Sequence, residues 1–524
     1  MPTTTKRALP MNRETAAAWR YHDGTKHSVA RLRAHPHYLD WDIKPLPFKI
    51  YPHLDPIPLP RELPSSSVPA TAAIAGAPIA AAGAHPTVPD LKTLARILHF
   101  SAGITRKKTY PGGQAYYFRA AACTGALYHI DLYVVCGNLP GLTAGVYHFG
   151  PHDFALYQLR AGDHRGVLVE ATGEEASVAH APVILACAST YWRNAWKYQA
   201  RAYRHCFWDT GTILANLLAV TAAGAVPARV VTGFVDEVVS ALLALDQQQE
   251  GPLALLTLGH DEAAVVPAPA VKPISLETLP LSSRQVDYPA INEMQRASSL
   301  HTSNEVCAWR DTPVPTAEPP APGRPTPEII SLRPLAGDAL PAESIDGVIL
   351  RRGSTRQFAH ESITSEQLSI VLETATRAIA ADYGASPNDL YLIVHAVDGL
   401  APGAYVYHRE TNSLELLRAG SFRREAGYLG LGQELPADAS VNIYLLCNLE
   451  PVLARFGNRG YRVAQLDAAT IGGKLYLAAY ALRLGASGLT FFDDAVTEFF
   501  SPHAAGKSVM FLVAVGKGRK TGGE

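Results

Sequence analysis

Two kinds of hydrophobic pattern alternate along the chain. Short apolar runs rich in β-branched and aromatic residues predict strands: DLYVVC, APVILACA and PLALLTLG in the first half, and DLYLIVHAV, VNIYLLCNL and SVMFLVAVG in the second. Apolar positions at helical spacing predict a long helix after Asp209 and another after Asp467. Both helices are apolar on nearly every face, which is typical of helices buried where two halves of a protein pack. Alternating helices and strands indicate the α+β or the α/β class.

Dense proline marks the boundaries between segments. Residues from about Val265 to Ser344 include VVPAPAVKPISLETLP and TPVPTAEPPAPGRPTPE, which predict an extended surface connector without regular helix or central strand. A similar run, YPHLDPIPLPRELPSSSVPA, precedes the first half. The pattern divides the chain into a Pro- and Ala-rich lead-in at 1–88, a first domain at 89–264, a Pro-rich connector at 265–344 and a second domain at 345–524.

The two halves repeat each other at a single offset. Moving the chain by 258 positions aligns DLY at 131–133 with DLY at 389–391, LRAG at 159–162 with LRAG at 417–420, and RAYR at 201–204 with RGYR at 459–462. Asp209 then aligns with Asp467. Shared composition does not hold one register without a gap over some 80 residues, so we interpret the chain as a duplicated domain.

The densest positive cluster occurs in one repeat only. RRGSTRQF, at 351–358, lies just before ESITSEQL, which predicts the start of a helix. Extending the repeat alignment towards the N-terminus places this cluster opposite the alanine-rich residues 77–84. Arginines of the second repeat therefore align with alanines of the first.

The opposite loss occurs further along the repeats. Lys197 and Tyr198 align with Arg455 and Phe456, which replace a titratable ammonium and a phenol by a permanent cation and a bare ring. The loop CTGALYH, at 123–129, aligns with ADYGASP. Each half therefore lacks groups that the other half has.

Composition limits the classes of partner. A formal net charge of −1 over 524 residues favours neither nucleic acid nor an anionic membrane. Six scattered cysteines without a C-x-x-C pair, and an N-terminus without an apolar signal region, predict a cytoplasmic protein with reduced thiols. The apolar run at 70–84 is too short and too rich in alanine and glycine to span a membrane. The nineteen histidines show no metal-ligand spacing.

Several strings together resemble the nitroreductase superfamily: YHDGTKHS, FSAGITR, FRAAACTGALYHIDLYVV, GLTAGVYHF, LRAGD, YWRNAWKYQARAYRHCFWDTG and RRGSTRQF. More narrowly, the chain is similar to tandem-domain members of the SagB/thiazole-oxidase (SagB/ThcOx) branch. This resemblance implies an α+β fold with a central, mostly antiparallel sheet flanked by helices, and an FMN cofactor in a cleft built by two subunits. Two repeats in one chain would form that dimer as an intramolecular pseudo-dimer, with one FMN per chain.

The resemblance assigns the FMN phosphate to the second repeat alone. The family's R-R-S-x-R-like segment and its second phosphate contact are matched by Arg352, Ser354 and Arg356, with Arg351 nearby, and by Lys517 and Arg519. Gly353 occupies the position of the second arginine. Guanidinium groups, a hydroxyl and the N-terminus of the following helix suit a phosphate dianion.

The resemblance assigns the ring end of the flavin to both repeats. The matches are Cys123, Thr124 and Gly125 in a P-S-x-G-type loop, Gly488, Leu489 and Thr490 in a segment whose backbone N–H approaches flavin N5, and Lys197 and Tyr198 as the catalytic acid/base pair of azoline-oxidising relatives. Cys123 stands where serine is usual in the family. Burial beside the flavin would lower the pKa of Lys197, and Tyr198 would orient its amine.

Three functions are compatible with these features. The first is an FMN-dependent dehydrogenase that oxidises a peptide or peptide-like substrate, of the azoline-to-azole type, by hydride transfer to flavin N5. Biosynthetic partner enzymes would accompany that function, and the final electron acceptor is left open. The second is an NAD(P)H-dependent reductase of nitroaromatics or quinones. The third is a flavin-free scaffold that binds a peptide or a partner enzyme, which arginines kept in one copy only argue against.

Overall fold

The computed structural model describes residues 12–76, 86–109, 115–263, 267–313, 328–334 and 340–519. The α-helices are α1 (Ala16–Gly24), α2 (Val29–Ala34), α3 (Ala70–Ala75), α4 (Leu91–Ala102), α5 (Arg165–Ala171), α6 (Ala176–Ala179), α7 (Tyr191–Tyr198), α8 (Ala202–Ala223), α9 (Asp236–Leu242), α10 (Pro289–Ala297), α11 (Ser303–Arg310), α12 (Ile345–Arg351), α13 (Ser365–Thr376), α14 (Arg423–Leu429), α15 (Glu434–Asp438), α16 (Leu449–Phe456), α17 (Arg459–Ala481) and α18 (Asp493–Phe500). The strands are β1 (Pro56–Pro58), β2 (Ile104–Thr109), β3 (Ala115–Arg119), β4 (Ile130–Cys136), β5 (Gly145–Gly150), β6 (Ala155–Ala161), β7 (Val183–Thr190), β8 (Ala228–Val231), β9 (Glu250–Leu258), β10 (Ile329–Ser331), β11 (Ile363–Thr364), β12 (Asn388–Val394), β13 (Val397–Asp398), β14 (Gly403–His408), β15 (Ser413–Ala419), β16 (Val441–Cys447), β17 (Gly485–Gly488) and β18 (Ser508–Gly516).

Two seven-stranded sheets carry the fold, and they have the same strand order. The first is β1-β6-β5-β4-β7-β9-β8, the second is β10-β15-β14-β12-β16-β18-β17, and every pairing within them is antiparallel. Strand β4 begins at Ile130 and β12 at Asn388, 258 positions later, and the same spacing separates β9 from β18. The α+β class and the duplication predicted from the sequence are therefore confirmed.

The two longest helices, α8 and α17, pack against each other in the centre of the molecule. A β-carbon at Gly211 of α8 would lie 2.6 Å from the Cβ of Ala469, and a β-carbon at Gly473 of α17 would lie 2.6 Å from the Cβ of Ala215. In both pairs the partners occupy equivalent positions of the two repeats, as in a two-fold interface where one surface meets its own copy. The residues from Tyr191 to Ala223 reach a mean hydropathy of 1.2, but the helix is 83% buried within the protein, as expected for a core helix.

The proline-rich segments contain more regular structure than the sequence predicted. Helices α10 and α11 lie inside the expected connector, because proline is absent between Pro289 and the end of α11, and Pro289 itself occupies the first helical turn where it costs no hydrogen bond. Strands β1 and β10 also come from these segments and each forms an edge of its sheet, the position where proline is tolerated. The alanine-rich residues 77–84, predicted to lie opposite RRGSTRQF, are outside the described residues.

A buried ion cluster joins the domains at the start of α8. Arg201 and Arg204 of the first domain bind Asp493 of the second, at 3.0 and 2.6 Å. Asp493 also accepts the backbone N–H of His27 at 2.7 Å. Burial alone would raise the pKa of Asp493, but the two guanidinium groups hold it well below its usual range. The carboxylate is therefore a charged link between the domains.

The second repeat makes the same cluster in the reverse direction. Arg459 and Arg462 at the start of α17 bind Asp236 of the first domain, at 2.6 and 2.7 Å. The N–H of Leu300 donates to Asp236 at 3.0 Å, as that of His27 does to Asp493. We call these two reciprocal clusters the Asp–Arg clamps. They fix the relative position of the two domains from both sides of the helix pair.

Removal of one clamp carboxylate should destabilise the whole chain. In the Asp493→Ala variant, Arg201 and Arg204 remain buried without a counter-charge, so we expect the free energy of unfolding to fall by about 3–5 kcal/mol. Urea denaturation measures this loss. Asp494→Ala is the matched control, because Asp494 is 77% exposed and its pair with Lys26 should be worth about 1 kcal/mol or less. Equal losses in the two variants would contradict the role of the clamp.

Candidate active site

The boundary between the domains brings several of the predicted site residues near one another. On its second-domain side, the segment 352–356 follows α12 and contacts the first domain. The Arg352 side chain donates to the backbone oxygens of Ala120 at 3.0 Å and Arg119 at 3.2 Å. These two residues are followed closely by the loop at 123–125, which the sequence predicts to contact the flavin ring and which we call the ring loop. Arg352 therefore links the predicted phosphate segment to the predicted ring loop.

Two cations of the second domain line a cavity of about 560 Å³. Arg356 and Arg519 both contribute to its wall, and neither side chain makes a hydrogen bond or ion pair with any described residue. They are adjacent because the C-terminal segment pairs with the loop: the N–H of Arg519 donates to Gln357 O, and the N–H of Ala359 to Lys517 O, both at 2.9 Å. The two segments matched to the phosphate thus meet at one place, with guanidinium groups available for an anion.

The remaining residues matched to the phosphate have partners within the protein. Arg351 binds Glu343 at 2.6 Å, and Lys517 binds Glu361 at 3.3 Å. The Ser354 hydroxyl lies 3.4 Å from the Tyr476 hydroxyl. The helix after RRGSTRQF, α13, is closed by a capping box of its own, in which Thr364 and Gln367 bind each other's backbone N–H groups. The capping box uses two backbone N–H groups at this helix end, and the expectation that the remaining ones contribute to the phosphate stays a prediction.

One buried carboxylate supports the predicted ring loop through hydrogen bonds. Asp209 in α8 accepts from the N–H of Thr124 at 2.9 Å, from its hydroxyl at 2.7 Å and from the Cys123 thiol at 3.0 Å. His129 Nε2 lies 2.9 Å from the same carboxylate. Burial, followed by the charge of Asp209, raises the pKa of Cys123, so the group stays a thiol and donates. The Cys123 thiol therefore donates a hydrogen bond, as the usual serine would. Its acceptor is Asp209, the carboxylate that supports the loop.

Lys197 and Tyr198 form the last turn of α7, beside the ring loop. Gly125 has φ +63°, and a β-carbon there would lie 2.8 Å from the Tyr198 hydroxyl, so this position requires glycine. Burial raises the pKa of Tyr198, with Asp209 and Cys123 acting in the same sense. Burial also lowers the pKa of Lys197, and the second contribution comes from the charge of Arg356. A lysine of one domain and an arginine of the other therefore share one electrostatic environment.

The segment Gly488–Thr490 forms the neighbouring wall of the cleft. Gly488 donates its N–H to the Tyr476 hydroxyl, and Leu489 donates to Leu512 O at 3.1 Å within the sheet. Within the described chain, the N–H of Thr490 has no hydrogen-bond partner. Leu489 also packs against the small apolar cluster of Phe358, Ala439 and Ala514, which places this wall near the phosphate segment. Of the three residues matched to the flavin N5 contact, Thr490 is the one with a spare donor.

The pseudo-equivalent site at the other end of the helix pair is filled by side chains. Asp382, which aligns with Thr124, accepts the N–H of Thr232 at 2.8 Å and that of Gly233 at 2.6 Å. Gly233 stands in the position that corresponds to Thr490, two residues after the strand β8. The ring of Trp309 covers Gly233, since a β-carbon there would lie 2.7 Å from it. The donor that is spare in one copy is therefore used by a carboxylate in the other.

Sequence reasoning did not single out several of these residues. Asp209 was noted only as a repeat match, Tyr476 not at all, and Asp382 only as part of ADYGASP. Two signals were available in the sequence. Tyr476 carries a hydroxyl on a mostly apolar helix, and Asp382 replaces Thr124 in the aligned loop. Their partners lie 12 to 150 positions away along the chain, so the contacts themselves were not readable.

Two duplicated antiparallel domains around one buried helix pair define a tandem-domain α+β protein. Residues 349–517 match the Nitroreductase family model. This match covers most of the second repeat, which is therefore similar to a nitroreductase-family domain, and it indicates an oxidoreductase.

Comparison with individual proteins extends this result to the whole chain. The crystal structure of a "putative nitroreductase" from Anabaena variabilis ATCC 29413 is 26% identical, with a TM-score of 0.73, and covers 97% of this chain and 100% of its own. "Putative nitroreductase MJ1384" of Methanocaldococcus jannaschii is 24% identical over 163 residues, 29% of this chain and 82% of that protein. A chain of the E. coli microcin synthetase McbBCD complex with truncated pro-MccB17 bound is 19% identical over 45% of this chain and 83% of its own, with a TM-score of 0.29. The full-length similarity to the first structure indicates that both repeats have the nitroreductase-like fold.

Weakening the support of the ring loop should loosen that loop selectively. Asp209→Asn keeps the shape of the side chain but turns one acceptor into an NH₂ group, which then faces donors of Cys123 and Thr124. We expect amide hydrogen exchange at 124–128 to accelerate about tenfold. Asp467→Asn is the matched control in the other repeat, where Asn388 and Ser386 donate to the carboxylate. If exchange at 124–128 rises equally in the control, Asp209 has no specific role there.

Proposed function

We propose that this chain is an FMN-dependent oxidoreductase of the tandem-domain SagB/thiazole-oxidase type, with one FMN in the cleft between its domains. The observation that carries the proposal is the contact of Arg352 in the second domain with the backbone of Ala120 and Arg119 in the first, directly before the predicted ring loop. Lys197 and the ring loop come from the first repeat, and the unpaired arginines come from the second. A site that uses all of them would lie where the two repeats meet.

The residues present fit FMN. Arg356 and Arg519 have guanidinium groups without partners in the described chain. They line a cavity of about 560 Å³ whose other walls also come from the second domain, and which is of the size of a small-molecule site. These groups, with Ser354 and Arg352 behind them, would hold the phosphate. The loop from Cys123 to Gly125 and the spare N–H of Thr490 would contact the ring. Bound FMN supplies two-electron chemistry, in which it takes the hydride that the substrate loses.

One cofactor per chain is supported by the difference between the two clefts. Asp382 and Trp309 occupy the second cleft, and Asp382 uses the backbone donors of Thr232 and Gly233. A carboxylate bound in this way excludes a ring acceptor from the same donors. The filled cleft contributes stability, while the open cleft keeps its donors for a ligand.

The protein's own contribution to the reaction is proton transfer and orientation. Burial and Arg356 both lower the pKa of Lys197, which increases the fraction of neutral amine able to take a proton from a substrate carbon. The Tyr198 hydroxyl lies against Gly125 of the ring loop and, because its pKa is raised, stays protonated as a donor. In a dehydrogenation, the substrate loses this proton and a hydride, and a ring of the azoline type becomes aromatic. A peptide or peptide-like azoline is the substrate class we propose.

Cofactor content tests the divided site. Purified protein should release one FMN per chain on denaturation, measured by absorbance. Arg356→Ala should reduce retention of FMN at least about tenfold, because it removes an unpaired guanidinium from the phosphate end. Arg377→Ala is the control, since Arg377 is 52% exposed and pairs with Glu373. Two flavins per chain, or none after reconstitution, would contradict the proposal.

The proposed base is tested by substitution of Lys197. Lys197→Ala should retain FMN but oxidise a thiazoline-containing peptide at least about 100-fold more slowly, followed by mass spectrometry as the loss of two hydrogens per ring. Lys92→Ala, an exposed lysine at the start of α4, is the control. Unchanged turnover would remove Lys197 from the mechanism.

A reductase on the same fold is the second candidate, because the relatives that match are described as nitroreductases. The reductase hypothesis predicts a different result from the dehydrogenase hypothesis in the same protein preparation. The unsubstituted protein would then leave the thiazoline peptide unchanged and lose its flavin colour rapidly when NAD(P)H is added without oxygen. Slow bleaching together with peptide oxidation favours the dehydrogenase.

A further inference from the structure

One element beside the cleft occurs in the first repeat only. Strands β2 and β3 form a two-stranded hairpin between α4 and the ring loop. In the second repeat α13 ends at Thr376, and the aligned loop begins at Ala381, which leaves no length for such a hairpin. The duplicated fold therefore does not require the hairpin, and its position next to the open cleft calls for a functional reason.

The hairpin is strongly basic. Residues 104–119 include four cations and no acidic residue, in a chain whose net charge is −1. Three of the cations, Arg106, Lys107 and Lys108, follow one another along β2 and are exposed. Strand β3 ends at Arg119, whose backbone oxygen accepts a hydrogen bond from Arg352 at 3.2 Å. The positive strand therefore borders the candidate site.

Strand β2 also has an open edge. Arg106 pairs with Phe118 and Lys107 with Tyr117 of β3 on one side. On the other side, the backbone at Arg106 and Lys107 makes no hydrogen bond with any described residue outside the hairpin. An open strand edge can accept an extended peptide as an additional strand, with backbone hydrogen bonds for affinity and side-chain contacts for specificity.

Aromatic side chains connect the hairpin to the proposed base. Lys44 lies between the rings of Tyr116 and Trp41, at 5.1 and 5.4 Å from their centres. Trp41 is 60% exposed and meets Trp196 edge-on at 5.2 Å. Trp196 directly precedes Lys197. A chain bound along β2 would therefore continue over an exposed aromatic surface towards the reacting end of the cleft.

We propose that hairpin β2–β3 is a docking site for an extended, acidic segment of the peptide substrate. This inference rests on the proposed function, because it names the substrate class for the same cleft. Acidic side chains on one face of the peptide pair with Arg106, or those on the other face with Lys107, since consecutive side chains of a strand point to opposite faces, while the peptide backbone pairs with β2 at these two residues. A remote docking contact of this kind places a ring elsewhere in the peptide near Lys197 without recognition of the ring itself.

Binding of designed peptides tests this docking site without turnover. The probes are fluorescently labelled peptides of about ten residues that alternate Thr with Glu, Gln or Lys. By anisotropy, the Glu probe should bind at least about tenfold more tightly than the Gln probe at low salt, and lose this advantage at about 0.5 M salt. The Lys probe should not bind. Equal binding of the Glu and Gln probes would overturn the proposal.

Charge reversal locates the binding on the hairpin. The Arg106→Glu/Lys107→Glu variant should bind the Glu probe at least about tenfold more weakly, whereas the control Lys92→Glu/Arg424→Glu reverses two exposed cations elsewhere and should not change binding. If the two variants bind alike, the hairpin is not the docking site. Unchanged binding together with self-association of the hairpin variant would show that these cations only prevent pairing between sheet edges.

Amide exchange on the unsubstituted protein gives a second measurement that does not depend on variants. The Glu probe should slow exchange along β2 at 105–108 and leave β10, an edge strand of the second sheet, unchanged. Absence of protection at β2 would overturn the proposal. Because FMN content is measured separately on the same preparation, a protein with one FMN and no peptide binding rejects the docking site alone. A protein without FMN that still binds the Glu probe rejects the cofactor proposal alone.

Discussion

The Asp–Arg clamps are the interaction on which the rest of the structure depends. Each places a carboxylate of one domain against two guanidinium groups at the start of the other domain's central helix. Between them, α8 and α17 approach so closely that Gly211 and Gly473 have no room for a side chain. Packing about a pseudo-two-fold axis brings the ring loop of one domain to the arginine segment of the other. The cleft is thus a consequence of interdomain geometry, and neither domain contains it alone.

A two-fold arrangement creates two equivalent clefts, and duplication within one chain allows them to diverge. In an exact dimer, every change in one cleft is repeated in the other. Here Asp382 and Trp309 fill one cleft, whereas Thr490, Arg356 and Arg519 leave donors unpaired in the other. Arg356 and Arg519 are exposed and Thr490 is partly exposed, so water can satisfy these donors at little cost in stability. Duplication within one chain thus allows side chains to fill one cleft while the other keeps its donors.

Much of this organisation was predictable, because the repeat offset is a property of the sequence alone. Register at 258 positions identified the duplication, the buried central helices and the separation of Lys197 from the arginine cluster. The helices α10 and α11 were missed, because the average proline content of the segment hid a proline-free stretch. Asp382 was missed for a different reason. Its donors, Thr232 and Gly233, come from the other repeat, and no local pattern shows which backbone N–H a carboxylate will reach.

Arg356 has two electrostatic roles that oppose each other. As an unpaired cation it lowers the pKa of Lys197, but a phosphate dianion bound to it would cancel that charge and favour the ammonium again. Burial is the larger of the two influences on Lys197, and it does not depend on the phosphate. With an anion in place, the neutral amine therefore has to be maintained by desolvation, which the covering of the cleft by substrate increases. Without the anion, burial and Arg356 both favour the neutral amine of Lys197, and with the anion bound burial alone favours it.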